Sequence, residues 1–355
     1  MSQPLHVKVR KKIKSFFERV LYKIFPAPKE IKINKEEIKS ILLIRINYRI
    51  GNMLFITPLL SQIKRDMPDV KVDILVGAPF TKTLFSGFKN VQNVYDFPRA
   101  LLKNPIKLFG HILNIRSKKY DAVININGGS TSDKLATLFA KATYKIAFCD
   151  DYSYSTANVC VRRKLPQTLH EALKPIELIS AFEIVPDYYM KLDISLNNEE
   201  FKKAKKELEN LIGKNDKKVF GIFRNARNDK KLEDEFWMKL IQELKKLDKD
   251  IIFVDILSPD IPKKLQDDMY EYSNKNLRIL AAFMANLDAF ICGDTGPMHL
   301  ASASGVPTIA LFKTTLPLLY GTLKESDLSL VLQDKSIQEV AKEIDMHLKN
   351  IKKEK

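Results

Sequence analysis

From Ser40 onward the chain alternates short unbroken apolar runs with longer stretches in which apolar residues return every three or four positions. The run Ile41-Leu42-Leu43-Ile44 reads as a strand buried on both faces, because nothing polar interrupts it and it is too short for a helix. Beyond Gly51 a helical period carries Leu54, Leu59, Leu60 and Ile63 inward. The same pattern predicts strands at 70–75, 94–97 and 122–126, with helices over 101–115 and 132–139. Around 185–198 the apolar period lapses and Pro186 intervenes, which marks a connection between domains. The alternation then restarts, with strands at 219–223, 251–255, 289–292 and 308–312 and helices over 235–247, 260–272, 297–304 and 337–351.

Wholly apolar strands separated by amphipathic helices imply a parallel sheet covered on both faces. The expected fold class is therefore α/β, with two Rossmann-like doubly wound domains facing a central cleft, over residues 40–190 and 191–355. A length of 355 residues suits two domains of roughly 150 each. In such folds the loops at the strand C-termini build the site.

Residues 1–39 stand apart from this alternation. The first forty residues hold eleven Lys or Arg against four Glu. Ile13, Phe16, Phe17, Val20, Leu21 and Ile24 fall on one helical face, with Lys11, Lys12, Lys14, Arg19 and Lys23 around them, and Pro26 and Pro28 end the helix. Such a helix either lies in an anionic membrane interface, through residues 7–25, or packs its stripe on the globular body. No run of about 18 apolar residues exists to span a membrane, and charge interrupts the N-terminus too often for a signal peptide.

The net charge of +16 fits either a lysine-rich composition or a polyanionic partner such as anionic lipid or a phosphorylated glycolipid. Nucleic acid is not expected, since Arg is not clustered with aromatics and no recognition motif is present. Cys149, Cys160 and Cys292 have no metal-like spacing and read as free buried thiols of a reducing compartment. Five scattered histidines suggest no zinc site, so no metal and no cofactor is expected.

The chemistry concentrates in four loops. After the strand Ala289–Cys292 come Gly293-Asp294-Thr295-Gly296-Pro297-Met298-His299, with Pro297 where a first helical residue belongs. A helix N-terminus offers free N–H groups and partial positive charge, which suits a phosphate; Thr295 adds a hydroxyl and His299 a donor one turn in. The bland alternative is a structural turn capped by Asp294. Arg224-Asn225-Ala226-Arg227-Asn228-Asp229-Lys230 follows another apolar strand into the cleft, where Lys230 and Lys231 are either phosphate ligands or surface charge. Arg45 and Arg49 flank the loop that holds Gly51 and suit an anionic acceptor, or pair within it. Asn127-Gly128-Gly129-Ser130 forms either an acceptor-side wall or a simple turn. Trp237 reads as core, because Phe236, Leu240 and Ile241 flank it at helical spacing. Asp248-Lys249-Asp250 matches a metal-binding Asp-x-Asp but belongs at the sheet edge opposite the cleft.

The string from Asp288 through Asp294-Thr295-Gly296-Pro297-Met298-His299 to Gly305-Val306-Pro307 and Phe312 resembles glycosyltransferase family 9, the lipopolysaccharide heptosyltransferases and their relatives. Arg45 through Thr57-Pro58-Leu59-Leu60 and the stretch 221–237 extend the resemblance to roughly residues 40–350. It implies the two-Rossmann-domain GT-B fold, with the donor held by the second domain. Asp294, Thr295, Gly296 and His299 match the family's donor-diphosphate loop, and Lys230 its phosphate-neutralising lysine. Asn225 lies in the same donor loop, and Asp260 matches an acidic ribose contact, or caps a helix. Arg45, Arg49, Gly51, Asn127 and Gly128 fall on the acceptor side.

One position departs from the pattern. The family's general base is an Asp directly after the glycine of the first loop, and here that residue is Asn52. A neutral amide cannot take the acceptor's proton. Either another carboxylate serves (Asp133, Asp150, Asp151 or Glu171), or the hydroxyl loses its proton late, or the chain binds without turnover. The resemblance implies a metal-independent inverting transferase moving a sugar, heptose from ADP-heptose foremost, onto a lipopolysaccharide core or related lipid-linked glycan. It would work at the cytoplasmic face of the inner membrane. The alternatives are a non-catalytic nucleotide-sugar or glycolipid binder, and a transferase with a different donor.

Overall fold

Both halves of the chain arrange their strands in the same order. The computed structural model describes residues 15–353 other than 17, 21, 99, 102–103, 128–129, 150–155 and 164–168. In chain order the first half contains β1 (Ser40–Arg45), α1 (Ile50–Leu54), α2 (Thr57–Asp66), β2 (Lys71–Val76), β3 (Val91–Asp96), α3 (Pro105–Ser117), β4 (Lys119–Asn125), α4 (Thr131–Phe139), β5 (Lys141–Phe148) and β6 (Val159–Val161). Its sheet runs β3-β2-β1-β4-β5-β6, parallel throughout.

The second half contains α5 (Asn198–Ile212), β7 (Lys218–Phe223), α6 (Asp234–Leu247), β8 (Ile251–Ile256), β9 (Tyr270–Tyr272), α7 (Leu277–Met284), β10 (Ala289–Gly293), α8 (Gly296–Ser304), β11 (Thr308–Phe312), α9 (Pro317–Tyr320), β12 (Leu328–Val331) and α10 (Ile337–Lys353). Its parallel sheet runs β12-β11-β10-β7-β8-β9. Read from the other edge this is the doubly wound order of the first sheet, and both match the Rossmann pattern. The central strands carry no exposed residue, as their apolar runs require.

Three sequence expectations need correction. The helix expected at 260–272 does not form. Pro259 and Pro262 interrupt it, Ser258 and Ile261 make a short bridge, and the segment ends in β9. The Leu265 N–H bonds the Asp255 carboxylate at 3.0 Å and the Lys263 carbonyl accepts from Arg224 at 2.7 Å, so backbone groups a helix would use internally are committed to neighbouring strands. Second, Cys149 and Cys160 are not free thiols: they form a disulfide, because β5 and β6 pair in parallel and set the two residues side by side at that edge. Cys292 alone remains a free, buried thiol. Third, helix α5 was not foreseen; a capping box between Asn197 and Glu200 starts it.

The segment leading into α5 is held by Arg278 of α7. Its guanidinium donates to the carbonyls of Ile194 at 2.6 Å and Ser195 at 2.8 Å, and pairs with Glu200. Trp237 is buried in the second core as expected.

A continuous apolar core crosses between the halves, since α1 packs directly on α8. A second bridge lies beside it. His170 Nε2 is 2.9 Å from the Gly321 carbonyl, and the Glu171 N–H donates to the Leu319 carbonyl at 3.0 Å. Among the described residues no helix is long and apolar enough to cross a membrane.

Candidate active site

The strand order reverses between β1 and β4 in the first sheet and between β7 and β10 in the second. Loops leaving those four strands diverge there and open a crevice at each sheet's C-terminal edge. The four loops singled out from the sequence are the ones at these two reversals.

In the second domain, β10 ends at Gly293, Thr295 is the extended N-cap of α8, and Pro297 sits in its first turn. Asp294 does not cap the helix. Its carboxylate instead accepts from Lys230 Nζ at 2.5 Å and from the Thr315 hydroxyl. The lysine expected to neutralise a phosphate is therefore paired with the aspartate of the same site, at the mouth of the α8 N-terminus. Asn225 donates to Asp260 Oδ2 at 3.0 Å and to Ser258 at 3.0 Å, which joins two expected donor contacts on adjacent loops. Beneath them buried Arg224 bonds Asp255 at 2.9 Å, Asp234 at 2.8 Å and the Lys263 carbonyl.

His299 does not open onto solvent. It is buried, its ring stands edge-on to Phe55 at 4.7 Å between centroids, and its Cδ2 would lie 2.5 Å from a Cβ on Gly51. Glycine at 51 is thus demanded by the close approach of α1 to α8. Burial pushes the imidazole down to about 3, helped by nearby His170 and Lys230 and opposed by Asp294. At neutral pH it is uncharged and offers one N–H, so its role toward an anion is a hydrogen bond and not a charge. Among the described residues its Nδ1 has no partner.

The first domain contributes a different balance. Arg45 is buried at the end of β1, where burial lowers its pKa while Asp133 and Glu171 oppose the shift. Its guanidinium is thus buried within electrostatic range of both carboxylates. Arg49, the exposed N-cap of α1, keeps its access to solvent. Asp133 is fully buried, accepts the Ile46 N–H at 2.9 Å, and is pushed up to about 6 by burial. It ties down the first loop. Glu171 is only half-buried and pairs with Lys174. Burial raises the Tyr320 pKa, Glu171 and Asp294 add to the rise and Arg49 opposes it, so all three charges lie within electrostatic range of the α9 phenol.

Asn52 is half-buried one residue beyond Gly51. Asn127 is exposed past the end of β4, its N–H held by Asn125. Gly128, Asp150 and Asp151 lie outside the described residues. Asp248 pairs with Lys218 at the opposite edge of the second sheet, far from these loops. Thr315, His170 and Tyr320 join the site without a sequence signal, because each arrives from a loop or short helix with no motif.

Two facing Rossmann-like domains with their strand C-termini turned to one seam define the GT-B fold. The sequence profile of glycosyltransferase family 9 (heptosyltransferase) matches residues 109–349, and the chain belongs to that family. Among solved structures, a family 9 glycosyltransferase from Veillonella parvula DSM 2008 superposes with a TM-score of 0.74 at 18% identity, covering 88% of this chain and 97% of that one. The E. coli heptosyltransferase WaaC with ADP gives 0.70 at 20% identity, over 88% and 99% of the two chains. E. coli ADP-heptose lps heptosyltransferase II gives 0.69 at 17%, over 88% and 99%. No curated protein sequence matches the chain.

Proposed function

We propose that this glycosyltransferase moves a heptose from ADP-heptose onto a lipopolysaccharide core or a related lipid-linked glycan, inverting the anomeric centre without a metal. The observation that carries this reading is the pairing of Lys230 with Asp294 at the N-terminus of α8, set beside the Asn225–Asp260 contact. That arrangement offers a cation and free helix amides to a diphosphate, and a carboxylate to a ribose, as donor chemistry needs. WaaC, of like fold, was solved with ADP.

In the proposed step the acceptor oxygen forms a bond to the sugar's anomeric carbon as the bond to the diphosphate oxygen breaks. The electron pair leaves with ADP, stabilised by Lys230 and the α8 amides. The acceptor proton goes to a carboxylate. Asn52 cannot take it, and Asp133 and Asp294 are both buried. Glu171, half-exposed, paired with Lys174 and held beside α9 by the bond from its N–H to the Leu319 carbonyl, is the base we assign. Arg49 then meets acceptor phosphate. The basic N-terminal segment would hold the protein at the cytoplasmic face of the inner membrane.

Incubation with ADP-heptose and a core acceptor should release ADP in step with a product heavier by one heptose, and chelators should not slow it. Donor binding by calorimetry with no ADP release would sink transfer. It would favour the second reading, supported by Asn52, of a nucleotide-sugar binder that does not turn over. Tighter binding of a different nucleotide sugar would keep the enzyme and change its donor.

A further inference from the structure

Helix α3 leaves an apolar stripe in water. Ile106 is 85% exposed, Phe109 62% and Leu113 50%, and their spacing of three and four places them on one face. The other face is accounted for, since Ile115 is buried with Ile46 and Tyr120. The surrounding sequence is one-sided in charge. From Phe97 to Tyr120 it contains Arg99, Lys103, Lys107, Arg116, Lys118 and Lys119 and no Asp or Glu. Lys107 and Arg116 are exposed beside the stripe.

A second exposed apolar surface belongs to the N-terminal segment. The N-terminal helical segment presents Phe16 at 68% and Ile24 at 62% exposure, so the described part of its apolar face is not packed on the body. Glu18 anchors it to buried Lys134 of α4 at 2.9 Å, and α4 also packs on α3. Both apolar faces therefore neighbour one helix. The N-terminal half of α3 also adjoins the Asn52 loop: the Phe97 ring is 5.7 Å from His111, and Tyr48 donates to the Phe97 carbonyl at 2.8 Å.

We propose that the exposed stripe of α3 is a second membrane-contact surface, which with the N-terminal segment seats the first domain's side of the cleft on an anionic bilayer. An interface of apolar side chains flanked by Lys and Arg matches acyl chains beneath anionic headgroups. A second protein copy fits less well, because three side chains fall well short of the about 800 Å² per partner of a stable interface. This assignment is independent of which sugar or nucleotide the site takes.

Co-sedimentation of the full chain with phosphatidylglycerol-containing vesicles, and with pure phosphatidylcholine vesicles, tests it. The triple variant Ile106→Glu, Phe109→Glu, Leu113→Glu should lose at least about tenfold in partitioning to the anionic vesicles, with circular dichroism and Tm unchanged. Should the triple variant misfold, Lys107→Glu with Arg116→Glu must give the same direction of loss. Wild type should fall off with salt and bind phosphatidylcholine weakly. Partitioning equal to wild type in the folded variants would overturn the proposal. So would a dimeric wild type that becomes monomeric with the triple variant in sedimentation velocity, since the stripe would then belong to a second copy.

Discussion

Gly51 of the first domain and His299 of the second meet so closely that a Cβ on residue 51 would lie 2.5 Å from the imidazole Cδ2. The glycine that follows the first loop, in α1, is thus also the residue that lets the two domains close on each other. Gly51→Ala must push the imidazole away from a packed seam, at a cost of about 1–3 kcal/mol. Chemical denaturation should register that loss. His299→Ala removes the obstacle, so the double variant should be less destabilised than the sum of the two single changes. Strict additivity would mean that the two side chains do not meet in solution.

Lys230 and Asp294 share one contact at 2.5 Å, which makes the donor site self-neutralised before any ligand arrives. Lys230→Ala removes a phosphate partner and also leaves Asp294 facing the diphosphate alone. ADP affinity measured by calorimetry should then fall about 10- to 100-fold, more than an exposed charge would account for. Adding Asp294→Asn should recover part of that loss by removing the repulsion. If the double variant binds no better than Lys230→Ala, the aspartate does not face the diphosphate.

Two buried groups pull stability in opposite directions as the pH falls. His299 is depressed to about 3 in the folded chain, so its contribution is present above the ordinary histidine value of about 6.5 and is lost as pH falls toward 3. Asp133 is raised to about 6, so its contribution is fully present below about 3.8 and is lost as pH rises through 6. Urea midpoints from pH 7.5 to 4.5 should therefore fall less steeply in His299→Gln than in wild type, and more steeply in Asp133→Asn. Changes of the same sign in both variants would contradict these environments.

Much of the fold follows from pattern, because parallel strands buried on both faces leave unmistakable apolar runs such as 41–44 and 289–292. Outer strands do not: β5, next to the edge, carries Lys141 and Lys145 and is only half-covered, and the edge strands β9 and β12 are short. The segment at 260–272 misled because its helical spacing gave no hint that Arg224 and Asp255 would claim its backbone. The loops at the two strand-order reversals were legible, since glycine, proline and charge cluster at those strand ends. The seam was not, because His170 and Glu171 reach the Gly321 and Leu319 carbonyls only after two domains pack, and no local pattern records that meeting. Likewise, nothing in the spacing of Cys149 and Cys160 announces that β5 and β6 run side by side.

The carboxylate at 171 carries the sharpest test of mechanism. Asn52 occupies the loop position where the family resemblance places a base, yet its amide accepts no proton at working pH. Glu171→Gln keeps shape and hydrogen bonding while removing basicity, so kcat should fall about 10²- to 10⁴-fold with ADP affinity unchanged. Asn52→Asp supplies a carboxylate to the loop, and in the Glu171→Gln background it should restore a large part of the lost rate. Rescue would establish that one proton acceptor suffices and that this chain carries it on the 170–171 segment. A Glu171→Gln enzyme with wild-type kcat would remove Glu171 from the chemistry. It would leave late proton loss to water or acceptor phosphate as the route, and Asn52→Asp alone should then raise kcat.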